Sequence, residues 1–412
     1  MPSATRRALA SLAFAVLLAA ALPSRAEEAV RIAIITPVSG AFAISGQIAE
    51  QHARFAIEKA NAGPLAGTGK HLELVVLDNE ASPEKSMTLL RKAVDEGVRY
   101  VTMGSGGSAV AFALTDAIAK HNKREPDRSV LFLNDAAIDP GLTNDKCSWW
   151  HFHFDADSDM KMHALTDYLV TQKDIHKVYV FNQDYSFGVS VERGAVAMLK
   201  DRRPDLVVVG AERVPLGKVK DFTPYMAKMQ AAGADAVVTG NWGPDLTLLL
   251  KAAADTNFKG RFFTYYLNSR DIVAEAGMSA KGTANIAVFY DNIPVPEVQA
   301  WIKEFEQRYN NVFSFWPGTI EMMMLGELIK QTGTADPLTI GKALAGYTWK
   351  SPLGDITMRA DNHQLLQPIF ISVLDTGTPH VFPDVPLGFR EIGRIEPKDT
   401  AMPTTCKFPN AP

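Results

Sequence analysis

Short, unbroken apolar runs alternate with segments of helical spacing along most of this chain, and that alternation narrows the fold more than any other feature. The first run, at 30–36, empties through Thr36-Pro37 and the turn SGAFAISG into IAEQHARFAIEKA, which has a helical spacing. Further candidate strands lie at 71–78, 98–103 and 129–134, with helical segments near 46–61, 83–96 and 108–121. Met87, Leu90 and Val94 fall on one helical face, as a helical period requires. A strand wet on one face would alternate polar and apolar residues. These strands do not alternate. They predict a parallel sheet covered on both sides, in a doubly wound α/β arrangement.

A polar, His/Asp-rich stretch at 151–161 separates this run from a second one and reads as a charged connection between domains. The second run has candidate strands at 177–182, 205–214, 234–240 and 260–266, with helices near 160–172, 188–201, 222–232, 245–255 and 270–277. A strand-like segment follows at 285–292. Val298, Trp301, Ile302, Phe305 and Tyr309 then form one stripe of an amphipathic helix, and further helices are expected at 318–332 and 337–346. PIFISVLDTG (368–377) reads as a late strand. A chain of 412 residues is too long for one compact core. The pattern predicts two domains, the first discontinuous: 27–150 with 286–357, and 151–285 with 358–385. Residues 386–412, polar and Pro-rich from 390, are expected to form a C-terminal tail draped over the surface.

The N-terminus predicts export. Arg6-Arg7, an apolar run from Ala8 to Leu22 and then Ser24-Arg25-Ala26 have the layout of a secretory signal peptide, residues 1–26, cleaved after Ala26. The run is too short and badly flanked for a membrane span. In an oxidising compartment the two cysteines, Cys147 and Cys406, suggest one disulfide, and two free buried thiols are the alternative. Closing so long a loop would stabilise the fold by roughly 4–5 kcal/mol in the chain-entropy picture. The net charge of -4 offers no basic footprint for nucleic acid.

The loops after the strands carry the candidate chemistry. SGAFAISG (39–46) has neither the lysine of a Walker loop nor a dinucleotide fingerprint. It holds Phe42 and Ser45 and opens a helix, so its backbone N–H groups can face an anion. MGSGGSAVAF (103–112) has the same layout. There Ser105 and Ser108 add hydroxyls, and Gly106 and Gly107 let a ligand approach the backbone. A carboxylate would suit that loop, held by main-chain donors and the helix dipole. No G-x-S-x-G surrounds either serine, so neither is a nucleophile elbow. NDAAIDPG (134–141) ends the next strand. Open α/β sheets bind ligands at such strand ends. The second run places aromatics there: Asp184, Tyr185 and Phe187 in FNQDYSFG, Trp242 in GNWGPD, Tyr265 and Tyr266 in TYYLN. Together they predict an amphipathic pocket. DADSDMKMH (155–163) is no calcium loop, because Met160 and Thr166 stand where glycine and glutamate are needed. No metal motif, cofactor fingerprint or catalytic triad is suggested.

An exported two-lobe α/β chain carrying TPVSGAFAISG, NQDYSFG, GNWGPD and a late DNHQ before PIFISV resembles the periplasmic substrate-binding proteins of ABC transporters. It looks most like the type 1 branch that includes the leucine/isoleucine/valine and amide binders, over about residues 29–385. The resemblance implies two Rossmann-like lobes joined by three crossings, near 147–157, 280–290 and 355–368, closing over a ligand by a hinge. It implies that Gly106, Gly107 and Ser108 hold a ligand carboxylate, and that Ala136, Ala137 and Ile138 form the next loop. Ile138 replaces a threonine whose hydroxyl would help. Phe187 and Trp242 match aromatic positions. Tyr266 stands where amino-acid binders place an acid for the α-ammonium. A buried ammonium without a carboxylate partner is costly. Either the solute lacks a free ammonium, or Asp184 or Asp245 substitutes.

The implied function is delivery of a small organic solute to the permease of an ABC importer. Such a solute is a branched-chain or other amino acid, an amide or a related carboxylate. The expected carrier is a periplasmic monomer, not an enzyme, and without a cofactor. A ligand-sensing protein of a regulatory system, for amides or aromatic carboxylates, would use the same fold.

Overall fold

The computed structural model describes residues 27–408 and 411–412. The expected signal peptide and its cleavage after Ala26 lie outside the described residues. β1 (Glu28–Thr36) shows why the first half folds as it does. From Ile32 to Thr36 every residue is buried, because the strand is paired on both edges and covered on both faces. The chain continues through α1 (Ala43–Ala62), β2 (Lys70–Asp78), α2 (Pro83–Asp95), β3 (Tyr100–Thr102), α3 (Ser108–Arg124), β4 (Leu131–Asn134) and β5 (His151–His153). These strands form one five-stranded parallel sheet in the order β2-β1-β3-β4-β5.

The second lobe follows with α4 (Ser158–Thr171), β6 (Lys177–Gln183), α5 (Ser186–Arg202), β7 (Val207–Val214), α6 (Thr223–Ala231) and β8 (Ala236–Val238). Then come α7 (Pro244–Asp255), β9 (Arg261–Thr264), α8 (Arg270–Ala276) and β10 (Ala284–Ala287). The chain returns to lobe 1 with α9 (Pro296–Tyr309), α10 (Trp316–Thr332) and α11 (Pro337–Leu344). Phe305 of α9 meets Phe55 of α1 edge to face at 5.4 Å, and α10 packs along α1. A small antiparallel sheet of β11 (Thr348–Ser351), β12 (Gly354–Met358) and β13 (Leu365–Leu366) is joined to β5 by a bridge from His153 to Gln364. Finally β14 (Ile369–Asp375) and β15 (Gly388–Ile395) complete a seven-stranded second sheet, ordered β15-β14-β10-β9-β8-β6-β7. The lobes are thus linked after β5, after β10 and between β13 and β14.

Three expectations are corrected. Residues 151–153 are not a connection at the start of the second lobe but β5, an edge strand of the first sheet. Residues 286–287 belong to β10 in the second sheet, so the return to lobe 1 begins later than residue 286. The segment from 386 is not wholly a draped tail. Residues 388–395 form β15, which pairs antiparallel with β14. Its polar residues, such as Arg390 and Glu391, are tolerated because an edge strand is paired on one side. Cys147 and Cys406 form a disulfide, with Cα atoms 5.7 Å apart across 259 residues of sequence. No described helix is long and apolar enough to cross a membrane.

Candidate functional site

The loop between β3 and α3 is built from glycines for steric reasons. A Cβ on Gly104 would lie 2.5 Å from the Cβ of Ala49, so α1 can pack here only against a glycine. Gly107 has φ of +84° and occupies the N-cap position of α3. No side chain caps this helix. The N–H groups of a helix's first turn have no intrahelical partner. Among the described residues, those of Gly106 and Gly107 find no backbone acceptor either. Gly106, Gly107 and Ser108 line a cavity of about 100 Å³, so these donors and the positive end of the α3 dipole open on it.

The neighbouring loop after β4 is stitched to itself. Asn134 Oδ1 accepts from the N–H groups of Ala136, at 3.2 Å, and Ala137, at 2.9 Å, while Asn134 Nδ2 donates to the Ala137 carbonyl at 2.8 Å. Those amides are therefore occupied. Ala136, Ala137 and Ile138 line the cavity and offer it apolar walls.

Lobe 2 supplies the opposite wall from Tyr185, Phe187, Trp242 and Tyr266. Trp242 Nε1 donates to the Tyr185 hydroxyl at 2.9 Å, which fixes both rings and leaves the Tyr185 proton free to donate. Phe187 meets Tyr266 edge to face at 6.1 Å. Behind Tyr266 sits the ammonium of Lys161, 5.5 Å from the ring centroid and paired at 2.8 Å with Asp155. Both partners are buried. Burial raises the Tyr185 and Tyr266 phenols above their ordinary range, so both are neutral hydroxyls. The lobes meet across the cavity: a Cβ on Gly107 would lie 3.5 Å from Tyr185 and 3.6 Å from Trp242.

Of the residues expected at the site, Ser45, Ser105, Gly106, Gly107, Ser108, Ala136, Ala137, Ile138, Tyr185, Phe187, Trp242 and Tyr266 line this cavity. Phe42, Asp184 and Tyr265 do not. Phe42 packs behind Trp242, with ring centroids 4.6 Å apart. Asp184 forms a surface ion pair with Arg213 at 3.0 Å. Tyr265 points into lobe 2, where its hydroxyl faces Met162 Sδ at 4.0 Å. Asp245 is taken by Gln183 Nε2 and the Gly217 N–H, both at 2.8 Å, and does not line the cavity. Neither aspartate therefore substitutes for an ammonium-binding acid. Among the described residues no Asp, Glu, Lys, Arg or His lines the cavity at all.

Sequence reading missed Ile48, Asn268, Ser269, Ile272, Ser314 and Phe315. Ile48 follows Ser45 by one helical turn, and Asn268 and Ser269 continue the Tyr266 loop, so spacing alone could have found them. Ser314 and Phe315 arrive with the returning chain between α9 and α10, which no local signal marks. The acidic stretch at 155–163 has a structural account. Asp155 pairs with Lys161, and Asp157 caps α4 by accepting from the Met160 N–H at 2.9 Å.

Known proteins resemble this chain over most of its length. The model of the periplasmic binding protein family matches residues 29–379. A Leu/Ile/Val-binding protein homolog 4 of Brucella abortus (strain 2308) is 30% identical over 375 residues, 88% of each chain. A leucine-, isoleucine-, valine-, threonine- and alanine-binding protein of Brucella ovis, solved in a closed conformation, superposes with a TM-score of 0.82 at 27% identity, covering 92% of this chain and 99% of its own. A solute-binding protein of an ABC transporter from Rhodopseudomonas palustris BisB5, solved with 3,4-dihydroxybenzoic acid, shares the fold with a TM-score of 0.77 at 19% identity, covering 92% and 99%. All three carry the name of binding proteins. The chain belongs to the periplasmic binding protein family, in its type 1, leucine/isoleucine/valine-binding-protein-like branch.

Proposed function

We propose that the protein is a periplasmic solute-binding protein that hands a small carboxylate without a free ammonium to the permease of an ABC importer, acting as a monomer. One observation carries this reading: an uncapped helix N-terminus opens into a cavity that, among the described residues, no charged side chain lines. The α3 donors would hold the carboxylate, with hydroxyls from Ser105 and Ser108. The rings of Tyr185, Phe187, Trp242 and Tyr266 would enclose the apolar remainder. An α-ammonium in the same space would lose its hydration with no counter-charge, at a cost of several kcal/mol. The fold itself accommodates such acids, as the Rhodopseudomonas protein holding 3,4-dihydroxybenzoic acid illustrates. A solute that contacts both lobes stabilises the closed form, since only unequal binding shifts an equilibrium.

Titration calorimetry against leucine, isoleucine, valine, 4-methyl-2-oxopentanoate, benzoate and 4-hydroxybenzoate tests this. At least one ammonium-free acid should bind with micromolar or tighter Kd, and leucine at least tenfold more weakly. A clear preference for leucine overturns the reading. Trp242→Ala should weaken the best acid at least tenfold, roughly the loss of one buried aromatic wall; unchanged affinity would remove Trp242 from the site.

A further inference from the structure

Two carboxyl groups with no cationic partner among the described residues lie directly behind the loops that would grip the solute. Asp135, at the end of β4, and Glu321, on α10, are both buried, at 4% and 0% exposure. Asp135 Oδ1 accepts from the N–H of Gly104 at 2.8 Å. Gly104 itself lines the cavity, as does Ala136, the residue after Asp135. Asp135 thus ties the loop after β3 to the loop after β4. Glu321 Oε2 accepts from Thr102 Oγ1 at 3.2 Å, and Glu321 Oε1 has no partner among the described residues. A Cβ on Gly318 would lie 3.0 Å from Asp135 Oδ2, so a glycine is what lets α10 bring Glu321 this close.

Among the described residues, the surroundings contain nothing to neutralise two negative charges. Glu321 is the buried ionisable group of α10, and α3 buries none. Tyr100 of β3 donates its hydroxyl to the Ala335 carbonyl at 2.9 Å. α1 contributes His52, whose ring nitrogens meet the Ile48 carbonyl at 2.8 Å and the Ser314 N–H at 2.9 Å, and which burial holds neutral, down to about 4. Two like charges in such a place cannot both persist. Burial raises Asp135 to about 6, and burial together with Asp135 raises Glu321 well above its ordinary range.

We propose that Asp135 and Glu321 are positioning residues that retain a proton between α10 and the solute-gripping loops, hold those two loops in register, and take up a further proton when an anionic solute enters the cavity. The proposal rests on the carboxylate reading of the site. At neutral pH the pair keeps one proton. A carboxylate arriving at the Gly104–Ser108 loop adds a second negative charge on the other side of Gly104. The cheapest response is protonation of the second carboxyl. Affinity should then fall as pH rises, about threefold per unit between about pH 6 and pH 8, for an uptake of about half a proton.

Calorimetry of the tightest acid among benzoate, 4-hydroxybenzoate and 4-methyl-2-oxopentanoate, in buffers of different ionisation enthalpy, reads that uptake directly. Wild type should take up a fractional proton. Asp135→Asn keeps a carbonyl acceptor for Gly104 but cannot titrate, so its uptake should vanish and its pH profile should flatten. A weaker affinity with the wild-type uptake preserved would reduce Asp135 to a structural support and overturn the coupling. Stability tests the retained proton without any solute. Glu321 holds a proton in the fold that the unfolded chain releases, so wild-type stability declines as pH rises. Glu321→Gln should therefore gain about 5 °C in Tm relative to wild type between about pH 5 and pH 8. A constant difference overturns the retained proton. If no acid binds while Glu321→Gln shows its gain, the carboxylate reading fails and takes the coupling with it, while the pair stands.

Discussion

Phe42 closes the cavity without lining it. The ring comes from lobe 1, lies 4.6 Å from Trp242 of lobe 2, and fills a niche floored by two glycines. A Cβ on Gly217 would lie 3.1 Å from it and one on Gly243 3.3 Å, so the niche exists because both positions lack side chains. Those contacts form only when the lobes meet. Phe42→Ala should therefore leave the solute's own contacts in place and release it sooner. A buried aromatic pair is worth on the order of 1–3 kcal/mol, so stopped-flow dissociation of bound acid should speed up roughly tenfold. An unchanged rate would deny Phe42 any role in closure. A pair of neighbouring tyrosines shows where sequence reading stops. Tyr265 and Tyr266 are adjacent and chemically alike, and both were reasonable lining residues. Successive side chains of an extended segment point to opposite sides, so one faces the cavity and the other the lobe 2 core. Which is which depends on the packing of α4 and not on the residues themselves.

Elements followed the same logic. The central strands were legible because burial on both faces leaves unbroken apolar runs; β6, for example, is buried from Val178 to Gln183. The edge strands β5 and β15 were not, since polar residues are compatible with pairing on one side. β5 carries two histidines that look like a solvated connection, yet His151 and His153 are buried along with His363, which lies between β12 and β13. His151 Nε2 lies 3.1 Å from Asn134 Nδ2 and must accept there, which requires a neutral ring. Asn134 in turn holds Ala136 and Ala137 at the cavity. Burial, with His153 and His363 adding to it, depresses His151 well below its ordinary value. The unfolded chain therefore binds a proton that the fold excludes. Its stabilising contribution is complete above the unfolded value near pH 6.5 and is lost as pH falls below it. His151→Gln keeps an acceptor for Asn134 and cannot ionise. Relative to wild type it should gain on the order of 1 kcal/mol per pH unit as pH falls from about 6 to 4.5, read by denaturant unfolding at each pH. A difference independent of pH would show that His151 is not the excluded proton site.

For the molecule as a whole, the C-terminal residues change how the lobes are joined. After β15 the chain leaves the second sheet and runs back to lobe 1. Arg359 holds the Met402 carbonyl at 2.6 Å, Thr404 Oγ1 donates to the Thr143 carbonyl at 2.8 Å, and the Thr405 N–H donates to Asn144 Oδ1 at 3.1 Å. Phe408 packs on His363 with ring centroids 4.3 Å apart, and Cys406 is bonded to Cys147. The segment is thus a fourth passage between lobes, beside the three of the fold, and a covalent bond secures its far end. A cysteine count of two could suggest the bond but not its placement across the hinge, because β15 had to be seen in the second sheet first. A hinge opening that swung the two sheets apart would be limited by a strap anchored on both. Cys406→Ser should release it in two measurable ways. Loss of a cross-link closing so long a loop removes about 5 kcal/mol in the chain-entropy picture, which for a protein of this size lowers Tm by about 5 °C. Small-angle scattering of the solute-free protein should also show a larger radius of gyration for the variant, and reduction of wild type should reproduce both changes while leaving Cys406→Ser unaffected. If the variant loses stability but the two radii coincide, the disulfide staples the tail without governing the hinge, and opening is set by the other three passages alone.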